Sequence, residues 1–194
     1  MEPKTIIFIG PSGSGKGTQV KAVTEYLESN SQAPVLNIET GKGFRDLTEK
    51  GSFTATRVRE LLADGQLVPN FLAESFVVKF LIKNLTPESH LTMDGFPRTL
   101  PQVDFIDELI EFYQRPKPLV VHLQVSDDVV RERLLARGRN EDVPELISER
   151  LRLYHEKTEP IVTAFKNREN VTFIQLDASQ SAQDVTKKII AALD

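Results

Sequence analysis

Near its start the chain carries the segment Gly10-Pro11-Ser12-Gly13-Ser14-Gly15-Lys16-Gly17-Thr18. It follows the apolar, β-branched run 5–9, which predicts a buried strand, and it precedes a helical pattern that begins near Lys16. Glycines between a strand and a helix let the backbone curl, so that several N–H groups point at one anion. Lys16 adds a mobile positive charge for the outer phosphates. The segment therefore predicts a loop that binds a nucleoside triphosphate.

One position of this loop differs from the usual pattern. Most phosphate-binding loops carry a Ser or Thr directly after the lysine, and its hydroxyl binds Mg²⁺. Here that position is Gly17, and a hydroxyl follows one residue later at Thr18. The alternative is a glycine-rich turn without a ligand, and the flanking strand and helix argue against it.

The composition narrows the kinds of chemistry that are possible. The 194 residues include no cysteine, which excludes disulfides, thiol catalysis and cysteine-ligated metals. A net charge of −4 argues against bulk binding to nucleic acid. No apolar run reaches transmembrane length, and the first residues lack the apolar region of a signal peptide. We therefore expect a cytoplasmic protein that binds neither nucleic acid nor membranes.

Strand-like and helix-like segments alternate along the chain. The strand-like runs are 6–9, 35–38, 90–93, 119–124 and 171–176, and the helix-like runs are 16–29, 54–64, 71–84, 102–113, 127–137, 144–167 and 182–193. Apolar strands separated by amphipathic helices predict one α/β domain with a five-stranded parallel sheet covered on both faces. The stretches 40–68 and 138–143 fit this alternation poorly, so we expect them to move.

Two details of the helical runs are also predictions. Glu159-Pro160 should interrupt the long run 144–167 with a kink. Five phenylalanines recur at helical spacing and are expected in the core: Phe71, Phe76, Phe80, Phe105 and Phe112.

Two further motifs follow predicted strands. In 39–45, Thr40 can cap a helix and Arg45 is placed to reach an anion. In 93–98, Asp94 ends the third strand, and ligands of open α/β sheets bind at the carboxyl ends of strands. Asp94 is therefore expected beside the phosphate-binding loop, where a carboxylate can organise the waters of Mg²⁺, and Arg98 can point into the same cleft. The alternatives are a solvated surface arginine at 45 and an exposed Asp-Gly turn at 94.

Arginines are concentrated in one part of this acidic chain. The cluster consists of Arg131, Arg133, Arg137, Arg139 and Arg150. It can be a solvated helix face whose ion pairs with nearby glutamates contribute only about 0–1 kcal/mol each. In the presence of a phosphate-binding loop it can instead supply the positive charge that phosphoryl transfer requires.

Taken together, the motifs in 10–18, 40–45 and 94–102 resemble those of the adenylate kinases, a family of nucleoside monophosphate (NMP) kinases, in their short-lid form. The likeness extends from residue 5 to the last predicted helix. It implies a three-layer P-loop NTPase fold over 1–194, with its core in 1–38, 69–136 and 148–194. It also implies a mobile NMP-binding segment, 39–68, and a mobile lid, 137–147. The expected activity is Mg²⁺-dependent transfer of the terminal phosphoryl group of ATP to AMP, giving two ADP, by a monomer.

The resemblance also implies a role for individual residues. The implied ATP-binding residues are Gly13, Ser14, Gly15, Lys16, Gly17, Thr18, Arg133, Arg137 and Gln180. The implied AMP-binding residues are Thr40, Arg45, Gln66, Leu67, Val68, Gly95, Phe96, Pro97, Arg98, Gln102, Arg139 and Arg150. The implied catalytic residues are Lys16, Arg98, Arg137, Arg139 and Arg150. Asp94 would hold Mg²⁺ through water, and no zinc is expected because the cysteine ligands are absent.

The acceptor base is partly predictable from the same resemblance. Similar kinases that act on UMP and CMP usually carry Ala at the position of Thr40 and Asn at that of Gln102, so both residues favour AMP. The sequence departs from the family at Glu39, where Ser is usual, and in 42–44, where Lys-Gly-Phe replaces Asp-Leu-Leu. Gly43 should loosen its helix by about 1 kcal/mol relative to Ala.

The lid departs from the family as well. Only Gly138 separates Arg137 from Arg139, which is shorter than the usual short lid, and Glu141-Asp142 matches the family's acidic pair. Two alternatives to an AMP kinase stay open, namely a kinase of another nucleoside monophosphate and a non-catalytic nucleotide-binding module. A GTPase is disfavoured, because the chain has no guanine-reading Asn-Lys-x-Asp run.

Overall fold

A computed structural model describes residues 1–193 and has a parallel sheet at its centre. The strands are β1 (Thr5–Ile9), β2 (Val35–Glu39), β3 (His90–Asp94), β4 (Leu119–Gln124) and β5 (Thr172–Asp177). They lie in the order β2-β3-β1-β4-β5, and every neighbouring pair is parallel. The predicted five-stranded parallel sheet is confirmed.

Helices cover both faces of this sheet. They are α1 (Lys16–Asn30), α2 (Thr40–Thr48), α3 (Phe53–Ala63), α4 (Asn70–Asn84), α5 (Leu100–Phe112), α6 (Asp127–Arg137), α7 (Pro144–Leu153), α8 (Glu159–Lys166) and α9 (Ala182–Ala191). Both α2 and α3 fall in the stretch 40–68. No helix within residues 1–193 combines the length and the apolar character needed to cross a membrane.

The core explains why β1 is a continuous apolar run. Ile7 and Ile9 belong to a cluster with α4, α5 and α8, whereas Ile6 and Phe8 belong to a second cluster with α1 and α9. All four side chains are nearly inaccessible to solvent. Burying each of them contributes about 1.5–3 kcal/mol. The two clusters lie on opposite faces of the sheet, so the three-layer α/β/α arrangement is also confirmed.

A π-helical turn, Tyr154–Thr158, interrupts the run 144–167 and separates α7 from α8. The predicted interruption of this helical run is therefore present, but it is a π-helical turn that lies before Glu159-Pro160. Pro160 has no N–H and its ring crowds the preceding turn of a regular helix, which favours a local change in the hydrogen-bond pattern. Pro160 itself lies in the first turn of α8.

The prediction for the phenylalanines was wrong at two positions. Phe71 and Phe112 are 72% and 78% exposed, whereas Phe76, Phe80 and Phe105 pack against the core. Ala73, Val77 and Leu81 form the buried stripe of α4, and Phe71 precedes it by two residues, which turns its side chain to the opposite face. Phe112 is the last residue of α5, where it contacts Tyr113 edge-on.

Candidate functional site

The glycine-rich segment connects β1 to the first residue of α1. Gly13 and Gly15 have φ angles of +83° and +94°, which L side chains rarely adopt. Helix α1 has no side-chain cap and no acidic residue in its first turn. The unpaired N–H groups and the positive end of the helix dipole therefore face the loop, as anion binding requires.

Lys16 folds back over this loop. Its Nζ donates to the carbonyl oxygens of Gly10 and Pro11, both at 2.8 Å. Burial lowers the pKa of Lys16, and the charge of Asp94 opposes that change. Ser14 Oγ is buried, and it finds no hydrogen-bond partner in the part of the chain that the structure describes. A buried hydroxyl without a partner is unfavourable, and a phosphate oxygen would satisfy it.

A loop cleft, the first of two adjoining clefts, opens above the phosphate-binding segment. It brings together every residue implied to bind ATP: Gly13, Ser14, Gly15, Lys16, Gly17, Thr18, Arg133, Arg137 and Gln180. Arg133 Nη2 donates to the carbonyl of Ala178 at 2.9 Å, which holds its guanidinium against the loop after β5. Gln180 lies in that loop, and its Oε1 accepts from Lys188 Nζ at 2.8 Å.

The loop cleft also contains oxygen donors suited to Mg²⁺. Asp94 and Thr18 line it together with Lys16. Asp94 ends β3 and pairs with Phe8 of β1, so the sheet register places its carboxylate beside the loop. Mg²⁺ keeps several waters and is usually held by one or two carboxylates together with substrate phosphates. Within residues 1–193 no three His, Cys, Asp or Glu side chains are grouped to hold a metal. The oxygens of Asp94 and Thr18 therefore fit a Mg²⁺ ion that is bound mainly through phosphates and water.

The second cleft, which we call the α2 cleft, contains nearly all the residues implied to bind AMP. These are Thr40, Arg45, Gln66, Leu67, Val68, Gly95, Pro97, Arg98, Gln102, Arg139 and Arg150. Phe44, Leu62, Ala73 and Leu153 add an apolar wall. An apolar pocket with a few convergent polar groups is typical of small-molecule sites. Phe96 is the exception, because its side chain is 1% exposed and packs edge-on against Phe105 in the core.

Gly95 lies where the two clefts meet, because it lines both of them. Its carbonyl accepts from Thr40 Oγ1 and from Arg98 Nε, both at 2.8 Å. With φ at +80°, a Cβ at this position would lie 2.8 Å from Thr40 Oγ1 and 2.9 Å from Arg98 Nη2. Only glycine permits this close approach. The prediction that Thr40 caps a helix was wrong, because Thr40 is the first residue of α2 and its hydroxyl bonds across the cleft instead.

Asp142 gathers the arginines of the predicted lid. Arg137 donates to both of its carboxylate oxygens, at 2.8 and 2.7 Å, and the Arg139 N–H donates at 3.2 Å. Arg150 Nη1 lies 3.5 Å from Oδ1. Burial would raise the pKa of Asp142, but the hydrogen bonds and charge of Arg137, with the other partners, hold it below its usual value. The sequence indicated only that Asp142 belongs to the acidic pair typical of the family. In the structure its carboxylate contacts Arg137, the Arg139 N–H and Arg150.

Two further contacts were not predicted. Gln66 Nε2 donates to Glu149 Oε1 at 2.7 Å, which joins the segment after α3 to α7. Hydrogen bonds from Arg152 and then from Gln66 lower the pKa of Glu149 to about 2. Phe76 of α4 packs so closely on α2 that a Cβ on Gly43 would lie 2.2 Å from the ring. The partners are distant in sequence, and no local pattern indicates either contact.

A phosphate-binding loop at the carboxyl edge of a parallel sheet, with basic side chains converging on it, defines a P-loop nucleotide-binding protein. The sequence model of the adenylate kinase family matches residues 8–170. An adenylate kinase of Corynebacterium urealyticum is 32% identical over 97% of this chain and 98% of that protein. Adenylate kinase 1 of Nostoc sp. is 32% identical over 97% of each chain, and an adenylate kinase of Prochlorococcus marinus is 32% identical over 96% of this chain. The chain belongs to the adenylate kinase family, and it is therefore a phosphotransferase.

Proposed function

We propose that this chain transfers the terminal phosphoryl group of ATP reversibly to AMP, giving two ADP, and that it requires Mg²⁺. One observation carries the proposal: the same basic side chains line both clefts. They are Lys16, Arg45, Arg98, Arg137 and Arg139. A donor in the loop cleft and an acceptor in the α2 cleft would thus meet at one positively charged boundary.

The residues at this boundary suit direct in-line transfer. Phosphoryl transfer develops charge on the moving group and on both flanking oxygens, so catalysis consists of positioning and electrostatic stabilisation. Lys16 would follow the moving group, and Arg98 would hold the acceptor phosphate from the other side. When bound, Mg²⁺ would neutralise charge on the donor phosphates, and Asp94, through water, and Thr18 would hold it. No side chain is needed as a covalent nucleophile.

The lid arginines would complete this environment. Asp142 accepts from the guanidinium of Arg137 and from the backbone N–H of Arg139, and Gly138 ends α6 with a φ of +64°, so only 138–143 connect α6 to α7. We propose that 137–147 moves together with α7 to exclude water, because free water would compete as a phosphoryl acceptor. The segment 39–68 would close over AMP from the opposite side.

AMP is the proposed acceptor because of two polar side chains in the α2 cleft. Thr40 fixes the Gly95 carbonyl, and Gln102 presents a buried amide that can both donate and accept. The enzyme is proposed to act as a cytoplasmic monomer in adenine nucleotide homeostasis.

The test is phosphotransfer from ATP with AMP, UMP, CMP and GMP offered separately. We expect ADP to form chiefly with AMP and to be lost in Lys16→Ala. Lys21→Ala is the matched control, because Lys21 lies on the same helix, is exposed and forms a surface salt bridge with Glu25. Faster turnover with UMP or CMP would assign the chain to another monophosphate kinase. Slow ATP hydrolysis without dependence on an acceptor would reject a transferase with this short lid.

A further inference from the structure

A chain of hydrogen bonds runs behind the α2 cleft. Asn70, the first residue of α4, accepts with its Oδ1 from Thr99 Oγ1 at 3.0 Å and from Gln102 Nε2 at 3.1 Å. The Gln102 amide is also bonded at its oxygen, because Gln102 Oε1 accepts from the backbone N–H of Arg98 at 2.7 Å. Thr99 and Gln102 line the cleft, whereas Asn70 lies behind them.

This chain fixes which end of the Gln102 amide points in which direction. The Arg98 N–H can only donate, so it requires Oε1, and the Asn70 carbonyl oxygen can only accept, so it requires Nε2. Gln102 is 2% exposed, and water therefore does not compete for either end. Among the hydrogen bonds within residues 1–193, one lone pair on Oε1 and one N–H on Nε2 are left unused.

The order of the acceptor and the donor on the Gln102 amide decides with which purine base it can form two hydrogen bonds. A 6-amino purine offers a donor beside a ring acceptor, whereas a 6-oxo purine offers an acceptor beside a ring donor. An amide held in one orientation can pair with the 6-amino purine. With the 6-oxo purine the same orientation places donor against donor and acceptor against acceptor. An amide that is free to rotate by half a turn can match either, so discrimination depends on whatever prevents that rotation.

We propose that Asn70 is a positioning residue that, together with the backbone N–H of Arg98, holds the Gln102 amide in one orientation and thereby strengthens the preference for a 6-amino over a 6-oxo purine monophosphate. This inference rests on the proposed function, because it assumes that the acceptor base contacts Gln102. Asn70 also follows 66–68, which line the same cleft, with only Pro69 between them, so it links that segment to Thr99 and Gln102.

The test compares AMP and GMP binding by calorimetry in the full chain and three variants. Asn70→Leu removes the oxygen that accepts both hydrogen bonds, and we expect AMP binding to weaken about tenfold, as for one oriented hydrogen bond lost. Because the Arg98 N–H still favours Oε1, the preference for AMP over GMP should fall by about the same factor without being lost, while kcat at saturating AMP stays within about threefold. Asn70→Asp keeps an acceptor for Thr99 and Gln102 and should restore both values. Asn84→Leu, at the other end of α4, is the matched control.

The outcomes separate this inference from the function on which it rests. If the unmodified chain binds AMP but Asn70→Leu leaves the AMP-to-GMP ratio unchanged, the role of Asn70 is rejected and the proposed function stands. If the unmodified chain prefers a pyrimidine monophosphate, both are rejected. Should Asn70→Leu fail to fold, Asn70→Ala removes the same acceptor oxygen without adding volume, and the AMP-to-GMP binding ratio of that variant decides the question.

Discussion

Replacing Gly43 by alanine tests how tightly α2 packs against α4. Gly43 lies inside α2, and in an exposed helix the substitution should stabilise by about 1 kcal/mol. In this protein the added Cβ would lie 2.2 and 2.3 Å from Cζ and Cε2 of Phe76, well inside van der Waals contact. The ring is also packed against Phe44, with centroids 5.6 Å apart, so its movement disturbs a second contact.

The magnitude follows from these opposing effects. Forcing extra volume into a packed contact costs about 1–3 kcal/mol, and the gain in helix propensity offsets about 1 kcal/mol. We therefore expect Gly43→Ala to lower the free energy of unfolding by roughly 1 kcal/mol. In a Phe76→Leu background the outer ring atoms are gone, and the same change should stabilise the protein. The coupling between the two sites should be about 1–3 kcal/mol.

The assay is urea denaturation of the four proteins of this double-mutant cycle. Gly51→Ala is the control, because no atom lies within 4 Å of a Cβ built there. A second measurement is the affinity for AMP, which should fall in Gly43→Ala because α2 also carries Arg45. If Gly43→Ala raised the unfolding free energy by about 1 kcal/mol in both backgrounds, the steric reasoning would be refuted.

Three further substitutions probe the lid and the π-helical turn. Arg139→Ala should lower kcat about 10²–10³-fold in the phosphotransfer assay, as expected for a lost transition-state donor, and unchanged turnover would contradict its role. Because the pKa of Asp142 is depressed by folding, its contribution to stability is present above its usual pKa of 3.8 and is lost as the pH falls. Asp142→Asn should therefore destabilise at pH 7 and converge with the unmodified protein in acid, as followed by denaturation at several pH values. Hydrogen bonds to Glu159 and Asp127 raise the pKa of His155, so its contribution is full below pH 6.5 and declines as the pH rises through the raised value. His155→Gln should remove this decline in stability. An NMR titration of the unmodified protein that found a lowered pKa for His155 would contradict this expectation.

The fold could be predicted because its signals are local. The apolar run before Gly10, the glycines and the helical pattern after Lys16 all lie within one continuous stretch, and each has a direct structural reason. The same holds for Asp94, because a residue that ends a parallel strand must lie at the carboxyl edge of the sheet.

Contacts between distant segments could not be predicted in the same way. Gln66 and Glu149 are 83 residues apart, and their hydrogen bond depends on how α7 lies beside the end of α3. Asn70 is an ordinary polar residue at the start of a helix until Gln102 is placed beside it. Phe96 lies inside a site motif, yet its ring belongs to the core, because sequence proximity does not determine which way a side chain turns.

The buried carboxylate of Asp142 has a consequence for how a short lid can function at all. Several guanidinium groups repel one another, and a long flexible segment would have to be ordered each time they converged on a substrate. Here an internal counter-ion compensates that repulsion as the chain folds, and it holds Arg137 in a fixed bidentate geometry. If these side chains bind the nucleotide as proposed, its phosphate oxygens meet a preorganised cluster, and fewer residues need to become ordered on binding. A connection as short as 138–143 is compatible with such a cluster, because the fixed charge of Asp142 already orders arginines that a longer loop would have to bring together.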